Sequence, residues 1–212
     1  NELHNLLSDS VEKRLMSDVP LGVYLSGGVD SGSVVALMSK FSDKIKTFSV
    51  GFDIDLQKSE LKRAAQVAEH FHTDHQEVIV GVDSIKELPK IVWHQDEPMA
   101  DPTSIPVFLL SQEAKKKCTV ILTGEGADEQ FAGYEQEKFM MLHQNYLRKF
   151  PLWMRKSLSF PIGKIPAKTL NIFFKYMGSL GDEGKKRLIT FLQTNNDAEA
   201  LMSMMAIFSN QE

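Results

Sequence analysis

Cysteine is nearly missing from this chain. Cys118 is the single one in 212 residues, so there is no internal disulfide framework and no Cys-x-x-Cys metal or redox site. Its place before Thr-Val-Ile-Leu predicts a small apolar residue at the start of a buried strand. Basic charge is also short: 24 Lys and Arg against 28 Asp and Glu leave a formal net charge of -4, without the basic footprint that nucleic acid requires. Lys115-Lys116-Lys117 reads as a solvated helix end. No run approaches the ~20 apolar residues of a membrane span, and the N-terminus lacks the basic and apolar regions of a secretory signal. No membrane association and a cytoplasmic location are expected. The phosphate loop Gly-x-x-x-x-Gly-Lys-Ser/Thr is absent too, and with it the lysine that reaches a γ-phosphate. His70, His72 and His75 have no matching group of ligands for zinc and read as a solvated turn.

What is present is an ordered alternation. Leu3, Leu6, Leu7, Val11 and Leu15 recur at helical spacing and predict an amphipathic helix over 2–17, closed before Pro20. Short Val-, Ile- and Phe-rich runs at 21–25, 46–51, 76–80 and 119–123 read as strands. Helical segments fall between them at about 31–41, 58–70, 83–95 and 104–116. That order predicts an α/β fold, a parallel sheet with helices on both faces. After Tyr134 the pattern becomes helix without strand, at 135–149, 167–177, 183–194 and 197–209. The expected division is therefore 1–134, an α/β core, and 135–212, a helical C-terminal annex. The methionines of the annex, among them Met140, Met141, Met154, Met177, Met202, Met204 and Met205, are expected to fill core gaps or an interface.

The strand-like run Val23-Tyr24-Leu25 breaks into Ser26-Gly27-Gly28-Val29-Asp30-Ser31 before a helix. Free amides and the helix dipole at such a point attract phosphate oxygens. Ser26, Gly27, Gly28, Val29 and Ser31 are thus candidates to hold a pyrophosphate. Asp30 puts a carboxylate where a bare phosphate nest would avoid one, which calls for an intervening cation and makes Asp30 a candidate Mg²⁺ ligand. The competing reading is an ordinary turn with Asp30 or Ser31 as helix N-cap.

A second string, Leu122-Thr-Gly-Glu-Gly-Ala-Asp-Glu-Gln-Phe-Ala-Gly-Tyr134, carries three acids in seven residues. Glu125 lies between two glycines, where the backbone can approach a ligand, and is the candidate catalytic base. Asp128 is the candidate second Mg²⁺ ligand, facing Asp30 across a polyphosphate. In parallel sheets, loops at the carboxyl ends of strands converge on the ligand, so both strings and Gly51–Asp53 are expected in one crevice. Leu25 and Val50, with Thr123 and Gly124, would wall an adenine. The polar, proline-broken stretch Trp93–Ser104 makes Asp96, Glu97, Asp101 and Ser104 second-rank candidates, and His94 reads as structural.

The string 26–31 resembles the pyrophosphate loop of the N-type ATP pyrophosphatases, and 122–134 resembles the second signature of the asparagine synthetase B family. The similarity covers roughly residues 1–150. It implies an adenine nucleotide alpha hydrolase-like fold and an ATP- and Mg²⁺-dependent ligase that activates a carboxylate, most commonly aspartate, as an acyl-adenylate and then transfers ammonia. It implies that main-chain groups at Leu25 and Val50 contact adenine, that Glu125 supports formation and aminolysis of the acyl-adenylate, and that the Asp/Glu-Pro segment borders the substrate pocket. Glutamine-dependent members carry an N-terminal glutaminase domain with a catalytic Cys, which Asn1 and Cys118 cannot supply; a homodimer is also allowed. The family's Arg-Val-Pro-Phe-Leu-Asp-like string and nearby Lys are missing, and the sequence opens without Met, so a fragment of low activity is expected. NAD or GMP synthetase-like and β-lactam synthetase-like chemistry, or a non-catalytic ATP-binding protein, are the alternatives.

Overall fold

The computed structural model describes residues 2–53, 60–166 and 181–205. The chain divides into two compact units, residues 1–125 and 126–212.

The first unit is built on a parallel sheet of four strands: β1 (Leu21–Tyr24), β2 (Lys46–Phe52), β3 (Asp74–Val80) and β4 (Val120–Leu122), in the order β3-β2-β1-β4. Gly22 of β1 registers with Lys46 on one side and Ile121 on the other. The helices are α1 (Glu2–Leu15), α2 (Val29–Met38), α3 (Glu60–His70), α4 (Leu88–Gln95) and α5 (Ser104–Lys115).

Alternation along the strands divides the core between the two faces of the sheet. Val23 packs with Val11, Val35, Leu37, Met38, Ala64 and Ala68 from α1, α2 and α3. Its neighbour Tyr24 belongs to the opposite cluster, around Phe48, Leu110, Ala114 and Cys118. Helices therefore cover both faces, as the sequence predicts. Cys118 is buried as expected, but it lies two residues before β4, whose own residues are exposed or half-buried, and burial pushes its thiol pKa up.

Several boundaries differ from the sequence reading, each for a local reason. The helix after the first loop begins at Val29 rather than 31, so Asp30 and Ser31 lie inside its first turn. Strand β2 runs through Phe52, which places Gly51 within the strand instead of in the following loop. A Cβ on Gly51 would stand 2.6 Å from Leu61 Cγ, so the glycine serves strand-to-helix packing. The segment 83–95 is a 3₁₀ stretch, Val82–Glu87, followed by α4 with Pro89 in its first turn. Strand β3 starts at Asp74, and β4 has only three residues.

The second unit is helical: α6 (Ala127–Phe131), α7 (Glu135–Asn145), α8 (Leu152–Lys164), α9 (Gly181–Gln193) and α10 (Asp197–Met205), with a 3₁₀ turn at Leu147–Lys149. Its apolar core joins Leu188, Phe191, Ala200 and Met204 to Phe139, Met140, Leu147 and Ile162. Met204 and Met140 thus pack in the core, whereas Met141, Met202 and Met205 are exposed. The predicted helix 167–177, with Met177, and the end of 197–209 lie outside the described residues. A polar knot closes the turn between α9 and α10: the buried Arg155 donates to Thr194 O at 2.7 Å and to Asn195 Oδ1, and the buried His143 Nε2 lies 3.1 Å from Thr194 O. Among the described residues no helix is long and apolar enough to cross a membrane.

Candidate nucleotide site

Leu25 directly follows the first strand and is buried, with its N–H donating to Phe48 O at 2.8 Å. Its carbonyl accepts a short hydrogen bond from the buried Ser49 hydroxyl of β2. Of the main-chain groups predicted to meet adenine, the Leu25 amide is thus engaged, and its carbonyl retains one lone pair. Val50 is half-buried and packs in the cluster around Phe48, on the face opposite Val23.

Beyond Leu25 the backbone turns sharply. Gly27 adopts φ +73°, a left-handed conformation that side chains resist. A Cβ there would stand 2.7 Å from the Ala64 amide nitrogen and 2.9 Å from Glu60 O, so the loop lies directly on the first turns of α3. The hydroxyls close the loop on itself. Ser31 Oγ accepts from the Ser26 amide at 3.1 Å and lies 3.0 Å from Ser26 Oγ, which in turn accepts from the Gly28 amide at 3.3 Å. Those are hydroxyls and amides of the kind a phosphate oxygen would engage, here satisfied internally.

Gly28 is the N-cap of α2 and no side chain caps this helix, so neither Asp30 nor Ser31 plays that part. Ser31 is buried, whereas Val29 and Asp30 are exposed in the first turn. A solvent-facing carboxylate there, with no ion pair among the described residues, has its electrostatics open to an incoming cation. This fits a magnesium ion, which takes one or two carboxylates plus substrate phosphates and keeps waters besides. Among the described residues no group of three or more His, Cys, Asp or Glu is assembled to hold a metal.

The second string reaches this loop through Gly124. A Cβ on Gly124 would stand 2.8 Å from the Ser31 amide nitrogen and 3.0 Å from Asp30 Cβ. Only a glycine allows that approach, and the two loops are in contact at this point. Thr123 Oγ1 accepts from the Glu125 amide at 3.4 Å. The Glu125 carboxylate is exposed and has no partner among the described residues.

The rest of the string belongs to the second unit. Gly126, at φ +85°, is the N-cap of α6, and the helix ends at Ala132 in the left-handed region at φ +56°. None of the acids caps α6 through its side chain. Glu129 accepts from Tyr134 Oη at 2.6 Å, and this hydrogen bond holds its carboxyl below the usual carboxylate range. Asp128 is half-buried, with its carboxylate folded over Gly133.

Of the second-rank candidates, Asp101 accepts from the Thr103 amide at 2.9 Å, which lowers its carboxyl pKa, and its carbonyl accepts from Ser104 Oγ at 2.8 Å. Turn chemistry accounts for both residues. Asp96 sits at φ +63° as the C-cap of α4, and Glu97 is exposed. His94 is exposed and stacks edge-on against Trp93, with the Phe108 ring nearby. His75 departs from a solvated turn: it lies on β3, half-buried, with Nδ1 2.8 Å from Thr47 Oγ1. Sequence reasoning passed over Ser49, because a serine inside an apolar strand gives no sign of which carbonyl it will reach.

A glycine-rich turn at the carboxyl edge of a parallel sheet, opening a helix and touched by a second glycine loop, defines an α/β protein of the nucleotide-binding type. The asparagine synthase family model matches residues 2–205, and the chain belongs to that family. It is 46% identical over 134 residues to glutamine-hydrolysing asparagine synthetase 1 of Bacillus subtilis, a match covering 63% of this chain and 21% of that protein. It is 38% identical to a putative glutamine-hydrolysing asparagine synthetase 2 of Methanocaldococcus jannaschii, over 71% of this chain and 29% of that one. The chain thus spans between a fifth and a third of the length of these curated relatives. Among solved structures, an ammonia-dependent NAD synthetase of Campylobacter jejuni aligns over 98% of both chains at 15% identity, with a TM-score of 0.44.

Proposed function

We propose that this chain is the nucleotide-binding part of an ATP-dependent amide-forming ligase that uses aspartate and ammonia. The observation that carries the reading is the contact of Gly124 with Asp30 and Ser31, where the two motif loops come together. In the reaction, an oxygen of the substrate carboxylate attacks the α-phosphorus of ATP. The bond from that phosphorus to the bridging oxygen breaks, and pyrophosphate leaves. Ammonia then attacks the acyl carbon of the adenylate, AMP departs with the C–O bond electrons, and the surplus proton goes to Glu125.

Ser26, Gly27, Gly28, Val29 and Ser31 would hold the departing pyrophosphate by exchanging their internal hydrogen bonds for bonds to its oxygens. Asp30 and Asp128 would each offer a carboxylate to magnesium, which would supply positive charge that offsets the phosphates. Leu25, Val50, Thr123 and Gly124 would border the adenosine. Glu125 suits proton transfer because its carboxylate is exposed and has no partner among the described residues, whereas Glu129 is tied to Tyr134. The gain in rate would come from positioning and from electrostatic neutralisation of the leaving group. In the full-length protein a glutaminase domain would supply the ammonia, and a cytoplasmic location is part of the same proposal.

Isothermal titration of ATP into the chain, with and without Mg²⁺, tests the reading. ATP should bind more weakly without the metal, and Asp30→Asn should lose most of that difference. Equal affinity in both buffers would remove the basis for a carboxylate-held metal and with it this assignment.

A further inference from the structure

The acids of the second string have different surroundings, and the difference traces to the residues that end it. Gly133 donates its amide to Asp128 O at 3.0 Å, so the chain folds back over the helix it has just left. The Asp128 carboxylate occupies the volume that a side chain at 133 would fill. A Cβ there would overlap Oδ1, stand 2.8 Å from Cγ and lie 3.2 Å from Asp128 Cα. Gly133 does not require its glycine for the backbone, since its φ lies outside the left-handed region. The neighbouring Ala132 takes the left-handed turn instead. The missing side chain at 133 therefore has one consequence, the space for a carboxylate.

We infer that Gly133 is a positioning residue, whose lack of a side chain sets the direction of the Asp128 carboxylate and hence its capacity to hold magnesium. This rests on the reading of Asp128 as a metal ligand. Tyr134 plays the complementary part by holding Glu129 through its hydroxyl, which leaves Asp128 as the acid of α6 that is not bonded to that phenol. An alanine at 133 would meet chiefly the far end of a side chain, which can rotate away. The backbone atom at 3.2 Å has to yield only a few tenths of an ångström. The substitution thus redirects a carboxylate while leaving the helix in place.

The test measures the ratio of ATP dissociation constants without and with Mg²⁺ for the whole chain and for Gly133→Ala, Asp128→Asn and the double variant, with circular dichroism of each. Gly133→Ala should lower that ratio by about fivefold or more, Asp128→Asn should lower it similarly, and the double variant should add nothing further, as for groups in direct contact. A Gly133→Ala protein with the wild-type ratio, beside an Asp128→Asn protein that loses it, would overturn the inference and leave the metal reading standing. A wild-type ratio in Asp128→Asn would overturn both. Should Gly133→Ala lose helix content, Gly133→Ala in an Asp128→Ala background decides: helicity regained there supports the carboxylate clash, and helicity still lost refutes it.

Discussion

Replacing Gly27 with alanine should cost the first unit far more stability than the same change five residues away. At φ +73° the alanine side chain carries the left-handed penalty, about 1–2 kcal/mol. Its Cβ would also stand 2.7 Å from both the Ala64 nitrogen and Arg63 Cβ, in backbone and helix that cannot rotate aside. Overpacking of that kind costs about 1–3 kcal/mol. Together the loss is about 2–5 kcal/mol, or a fall of about 1–2.5 M in the urea midpoint for a slope of about 2 kcal/mol/M. Gly32, inside α2, has nothing within 4 Å of its would-be Cβ. Alanine there should stabilise by about 0.5–1 kcal/mol, through reduced freedom of the unfolded chain and better helix propensity. Gly28 lies between them: its φ of −79° suits alanine and its Cβ would meet only Ser26 Oγ at 3.2 Å, so the cost is that of a poorer N-cap, about 1 kcal/mol or less. Urea unfolding followed by amide exchange in β1 and β2 reads the first unit separately from the helical one. The reasoning fails if Gly27→Ala unfolds within about 0.5 kcal/mol of wild type, or if Gly32→Ala proves as damaging as Gly27→Ala.

Two further outcomes concern buried polar groups. Burial lowers the pKa of His75 below its ordinary 6.5, against the opposing pull of Glu77. The unfolded chain then takes up the proton more readily, so the stability His75 contributes is present above pH 6.5 and is lost as pH falls through the lowered value. The urea midpoint of wild type should drop more between pH 7.5 and 5.5 than that of His75→Gln, and an equal drop in both would contradict the assignment. In the helical unit, Arg155→Leu removes the donor to Thr194 O and Asn195 Oδ1. The buried Thr194 carbonyl would keep only the His143 ring nitrogen, 3.1 Å away, at a cost of about 1–3 kcal/mol. Calorimetry should place the melting of α8–α10 lower in Arg155→Leu, and an unchanged melt would mean the turn is held by other contacts.

The alternation of Val-rich runs with helical segments was sufficient to predict a parallel sheet covered on both sides, because period and order are local properties of the chain. The two strings at 26–31 and 122–134 likewise stood out in the sequence as candidate loops, since glycine beside hydroxyl and acid at a strand end is a local pattern. Tertiary structure alone decided how those residues are employed. That Gly27 lies on the backbone of α3, that Ser49 reaches the Leu25 carbonyl and that Gly124 rests on Ser31 are contacts between residues 24 to 93 positions apart. No spacing rule encodes such pairs, because they depend on how strands β1, β2 and β4 register side by side. The same holds for the acids: composition placed three in one loop, and only folding made one of them a partner of Tyr134, laid another on Gly133 and left Glu125 exposed.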